Sequence, residues 1–129
     1  MNRFNTDARH TEILNENGAF FAFSQSQLNE AKVEGVEYEH LFAGLICPKD
    51  NSKKLMDQLD SLFDQATAWE LENNTKKEII WHELANHECQ IVGSYQEGYE
   101  AVKHYGITKE EVKAEWGAYY DHCVEHDYF

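Results

Sequence analysis

At four points where a helical apolar pattern opens, a serine or threonine stands three residues ahead of a glutamate or glutamine: Ser24 with Gln27, Thr75 with Glu78, Ser94 with Glu97, and Thr108 with Glu111. In a capping box the hydroxyl accepts a hydrogen bond from the backbone N–H of the third helical residue. That residue's own side chain reaches back to the N–H of the cap. Each box therefore marks where a helix begins, and apolar spacing says how far it runs. The first box predicts a helix from about Ser26 to Val33, stopping near Gly35. The second predicts one that carries Ile80, Leu84 and His87 on a single stripe, which Ile91 could equally continue, with helix to about His87 and then strand the favoured reading. The third starts a helix with Ala101, Val102 and Tyr105, closed by Gly106 as a left-handed terminator. The fourth places Val112, Trp116, Tyr119 and Cys123 on one face.

A fifth helix is predicted from spacing alone. Leu55, Leu59, Leu62, Ala66 and Trp69 recur four and three residues apart, widened by Met56 and Phe63. Asp50, Asn51 and Ser52 offer the cap, and Asn73-Asn74 breaks the pattern. Three segments read instead as short strands: the aromatic run Ala19–Phe23 as a buried strand, Leu41–Cys47 ended by Pro48, and Cys89–Val92 stopped by Gly93. The expected fold is α+β, a small sheet of about three short strands packed by four to five helices. Residues 1–18 form an N-terminal arm or short helix, and 19–129 a single domain. A chain of this length buries about two-thirds of the surface its unfolded form exposes, enough for a core without staples.

Charge narrows the partners. There are 24 acidic and 11 basic side chains, a net charge of −13. Such a surface repels nucleic acid and anionic membrane and favours basic proteins or cations. The start, Met1 to Gly18, is polar and unlike a signal peptide. No apolar run approaches the ~20 residues that span a bilayer. Cys47, Cys89 and Cys123 are odd in number and widely spaced, so they read as reduced, buried thiols of a cytoplasmic protein rather than a disulfide framework.

The chemistry-bearing residues are few. His82-Glu83-Leu84-Ala85-Asn86-His87 mimics a zinc-protease helix, but its histidines are five apart, which turns the rings to different faces. His87 falls on the stripe with Ile80 and Leu84 and reads as a hydrogen-bonded core histidine. His82 shares a polar face with Glu78 and Asn86. His122 and His126 are four apart on the last helix, a spacing that can chelate one ion given further ligands. Their alternative role is to complement the helix dipole near its C-terminus. Asp57, Asp60 and Asp64 line the solvent face of the 55–69 helix. Such a row can stand in for phosphates when a protein docks on a basic groove, although Lys53 and Lys54 dilute its field. No nucleophile elbow, phosphate loop or dinucleotide fingerprint is present, and no catalytic residue is assigned.

The pair Phe20-Phe21-Ala22-Phe23-Ser24 and Glu83-Leu84-Ala85-Asn86-His87-Glu88 resembles a family of small proteins of bacteriophages and related mobile elements. In that family an aromatic strand opens a helix carrying a glutamine, here Gln27. Later a helix end of this type leads into a short strand and another helix. The resemblance covers roughly residues 19–105. It implies a phage or mobile-element origin and an α+β fold, marks Asn86, His87 and Glu88 as a helix end or shared site, and implies no activity. The expected function is that of a non-enzymatic accessory protein. It would bind a host or phage protein and mask a basic, nucleic-acid-binding surface through Asp57, Asp60 and Asp64, without cofactor. The alternative is a zinc or other divalent-metal protein, or a metal-dependent enzyme, using His122 and His126.

Overall fold

The computed structural model describes residues 1–129. In chain order the elements are α1 (Asp7–Glu16), β1 (Phe20–Phe21), α2 (Gln25–Ala31), β2 (Tyr38–His40), β3 (Leu45–Pro48), α3 (Ser52–Asn73), α4 (Lys76–Asn86), α5 (Cys89–Val92), α6 (Gln96–Val102) and α7 (Lys109–His126). One-turn 3-10 segments occupy Lys49–Asn51 and Lys103–Tyr105. The fold is α+β, with one three-stranded antiparallel sheet of order β1-β3-β2. Backbone proximity divides the chain into two units, Asn5–Ala66 and Met1–Phe4 with Thr67–Phe129, and the boundary falls within α3. No helix is long and apolar enough to cross a membrane.

The Asn5–Ala66 unit is organised by β3, whose Leu45, Ile46 and Cys47 are fully buried. Phe20 and Phe21 pair with Ile46 and Leu45 on one side, while Tyr38, Glu39 and His40 pair with Pro48, Cys47 and Ile46 on the other. The aromatic run is therefore a two-residue edge strand rather than a buried one. Phe21 and Phe23 are 46% and 74% exposed. The expected strand Leu41–Cys47 is split as well. Ala43 (φ 46°) and Gly44 (φ 80°) are the two left-handed residues of a tight turn closed by Leu45 N–H donating to Phe42 O, a primed turn that matches strand twist. Gly44 is required twice over, since a Cβ there would lie 2.4 Å from the Phe23 ring. The arm is ordered as α1, with Ile13 and Leu14 buried. Beyond it Asn17, 1% exposed, donates to Ile13 O and Gln58 Oε1.

The other unit has an apolar core of Ile79, Ile80, Leu84, Cys89, Val102, Tyr105, Ile107, Val112, Tyr119 and Cys123, with Met1, Trp81, Tyr95, Tyr99 and Trp116 packed around it. Thr75 and Thr108 close full capping boxes with Glu78 and Glu111 and start α4 and α7. The Ser24 box closes with a shift: Ser24 Oγ accepts from Gln27 N–H, but Gln27 Oε1 accepts from Phe23 N–H. The Ser94 box does not close. Ser94 Oγ accepts from Gln96 N–H, the cap is Tyr95, and α6 starts later than the spacing predicts. Cys89–Val92 is a helical turn, not a strand. The N–H groups of Ile91, Val92 and Gly93 are spent on the carbonyls of Glu88 and Cys89, as in a helical turn and not in a ladder. Of that apolar run only Cys89 is buried, while Ile91 and Val92 are exposed. The third strand is β2 instead. α6 lies close on α4, where a Cβ on Gly98 would fall 2.7 Å from Leu84 Cδ2.

Candidate functional site

Asp57, Asp60 and Asp64 are all exposed on α3. Asp57 pairs with Lys53 at 2.8 Å, with both side chains more than half exposed, so that bridge contributes little. The flank of this acid row is aromatic. Phe63, three residues past Asp60, is 54% exposed, and with Phe42 (53%), Leu59 and Leu62 it lines an open pocket completed by Thr6 and His10. At the end of the edge strand of the same unit and just past it, Phe21 and Phe23 stack at 6.1 Å with planes 6° apart. Sequence reading placed Phe63 in the stripe and Phe42 in a strand. The turn at Ala43-Gly44 is what turns Phe42 outward.

α7 brings His122 and His126 together, ring centroids 4.3 Å apart. They sit in an aromatic stack, with Trp81 5.3 Å from His122 and Tyr128 5.4 Å from His126. His126 is exposed. No group of three or more His, Cys, Asp or Glu side chains is placed to hold a metal ion.

Asn86, His87 and Glu88 end α4. His87 is the C-cap, its side chain 36% exposed rather than core, because the helix stops where the stripe would have carried it inward. Glu88 takes a left-handed φ of 49° that launches α5. Asn86 Nδ2 and His87 Nε2 approach Glu83 Oε2 at 3.4 and 3.5 Å, and His87 Nδ1 lies 3.9 Å from Glu97. These residues point to Glu83, only 8% exposed.

Glu83 belongs to a polar cluster in the Thr67–Phe129 unit that sequence reading missed. Glu70, 5% exposed, accepts from Tyr105 Oη on Oε1 at 2.7 Å and from Phe4 N–H on Oε2 at 3.3 Å. Arg3 closes the group: Nε is 3.1 Å from Glu70 Oε2, Nη1 is 3.8 Å from Glu83 Oε1, and Nη1 is 3.2 Å from His82 Nε2. Burial, together with the hydrogen bond onto Glu70, pushes the Tyr105 phenol well above its ordinary range. Burial also lowers the His104 pKa, against the pull of Glu70 and Glu83. A signal for the two acids exists in the sequence. Glu70 is four residues past Ala66, and Glu83 is four past Ile79 and three past Ile80, so both interrupt apolar stripes. A charge in such a position is buried only when paired.

The three thiols are free and buried. Burial raises the pKa of Cys47 and Cys89, which suits small hydrophobes better than nucleophiles.

A family model described as Family of unknown function (DUF7659) matches residues 3–122. No curated protein and no solved structure matches the chain.

Proposed function

Since the chain belongs to that family of unknown function, we propose its role from its own surface: a small acidic binding protein that docks on a basic surface of another protein. The observation that carries this reading is the exposed row Asp57, Asp60 and Asp64 beside the exposed rings of Phe63 and Phe42. Aromatic side chains supply most of the energy of a protein interface when a partner covers them. Carboxylates beside them steer a positive partner and fix its register. The net charge of −13 adds a long-range field of the same sign. The partner that fits best is a nucleic-acid-binding protein, whose basic groove the acid row would mask. The aromatic-strand and helix-end patterns support an accessory protein of phage or mobile-element type acting on a host or phage protein.

The test is capture from bacterial lysate at low and moderate salt, with wild type beside an Asp57→Asn/Asp60→Asn/Asp64→Asn variant and a Phe42→Ser/Phe63→Ser variant. A nucleic-acid-binding protein should be captured by wild type, weakened by salt, lost with either variant, and displaced by duplex DNA. Capture that ignores salt and survives the triple substitution would overturn the reading, as would no specific capture at either salt.

A further inference from the structure

Arg3 reaches both buried carboxylates, Glu70 and Glu83, and it comes from outside any helix or strand. The receiving groups are fixed. Glu70 is held by α3 and by the Tyr105 hydroxyl, Glu83 by α4 with Asn86 and His87 against it, and His82 by α4. Both carboxylate side chains are nine-tenths or more buried, at 7% and 10% exposed, whereas Arg3 is 56% exposed. The receptor is thus buried and preorganised, and its occupant lies on the solvent side.

The contacts also specify the shape of that occupant. Nε meets Glu70, and Nη1 meets both Glu83 and His82. Only a planar fork offers donors in those directions. An ammonium is a point charge and reaches one carboxylate well at a time. Without a cation the site would hold two buried negative charges in a medium that solvates them poorly. The Met1–Phe4 segment that delivers Arg3 is held by Met1 against the apolar core and by the Phe4 N–H donating to Glu70 Oε2. Asn2 and Asn74 exchange hydrogen bonds at 2.7 and 2.8 Å, both exposed, and Phe4 leans on Trp69 with ring centroids 5.8 Å apart.

We propose that Glu70, Glu83 and His82 form a guanidinium-binding site on the Thr67–Phe129 unit, which Arg3 fills in cis and which takes an arginine side chain of a protein partner when the Met1–Phe4 segment is displaced. This site is separate from the acid row on α3 and does not depend on it.

The experiment is chemical complementation. Arg3→Ala removes the guanidinium, and N-ethylguanidinium supplies the missing piece. The thermal midpoint of the Arg3→Ala chain is followed against added N-ethylguanidinium, with ethylammonium and sodium chloride at matched ionic strength as controls. The midpoint should fall in the variant. N-ethylguanidinium should then recover most of the loss with a saturating, millimolar dependence, while ethylammonium recovers little. Adding Glu83→Gln to Arg3→Ala should abolish the saturable part. If Arg3→Ala does not fold alone, refolding yield with and without the probe reads the same binding. Equal action of ethylammonium, a linear response without saturation, or rescue that survives Glu83→Gln would overturn the proposal.

Discussion

Replacing Tyr105 by Phe removes one oxygen from a buried position and leaves its partner behind. The hydroxyl donates to Glu70 Oε1 at 2.7 Å, and the two residues are 8% and 5% exposed. A hydrogen bond to a charged group contributes about 1.5–3 kcal/mol, and leaving a buried acceptor unmatched costs the desolvation of that atom. Glu70 keeps Arg3 and the Phe4 N–H on its other oxygen, so the loss falls near the middle of that range, about 2 kcal/mol. At ~2.1 cal/mol/K per residue, unfolding a chain of 129 residues has an entropy of roughly 0.27 kcal/mol/K, so the midpoint should fall by about 7 °C. The assay is thermal and urea unfolding of wild type, Tyr105→Phe, Glu70→Leu and the double variant. Glu70→Leu deprives the hydroxyl of its acceptor, and the double variant replaces both partners by apolar groups. It should therefore be less damaging than the sum of the singles by at least ~1 kcal/mol. A Tyr105→Phe change within ~0.5 kcal/mol of wild type, or an additive double variant, would refute the view that this bond holds the carboxylate in place.

Two further outcomes follow from the same unit. Gly98→Ala should destabilise by about 1 kcal/mol in urea unfolding, because overpacking against the fully buried Leu84 costs ~1–3 kcal/mol and outweighs the ~1 kcal/mol gained in helix propensity; a stabilised variant would mean that α6 does not sit this close on α4. Tyr105 and Tyr119 both have raised phenol pKa values, caused first by burial. The neutral form is favoured in the fold, so their stabilisation is intact below the unfolded value of about 10 and is lost as pH rises beyond it. Phenolate absorbance of wild type minus Tyr105→Phe or Tyr119→Phe should show each group ionising together with base unfolding, not ahead of it.

Helix starts were legible where the cap and its partner belong to one local register. Thr75 and Thr108 need nothing beyond their own first turn, and both boxes close as the spacing predicts. Ser94 has the same spacing, yet α6 begins at Gln96, its Ser94 hydroxyl spent on the Gln96 N–H. Strands were read less well, because an apolar run does not show where its backbone hydrogen bonds go. Leu41–Cys47 looks continuous in hydrophobicity, but the left-handed backbone at Ala43 and Gly44 makes its centre a turn. Gly44 alone hinted at this; alanine at φ 46° gives no sequence signal. Cys89–Val92 is apolar enough for a strand, but its N–H groups close a helical turn first.

The polar cluster was hidden for a different reason. Arg3 and Glu70 are 67 residues apart and Glu70 and Tyr105 are 35 apart, so no window contains the site. What the sequence does hold is the anomaly at each position. Glu70 and Glu83 stand where the periodicity of α3 and α4 asks for an apolar side chain. An ionised carboxylate there needs a cation or several donors, because its burial unpaired costs several kcal/mol. The same rule applied to Asp57, Asp60 and Asp64 gives the opposite answer: they fall on the solvent side of their helix and demand no partner from within the chain. Two kinds of acid are thus distinguishable by helical phase. One kind binds inward and is already matched by Arg3. The other faces outward, with only Asp57 bridged to Lys53, and the proposed docking on a basic surface rests on this second kind together with the net charge of −13.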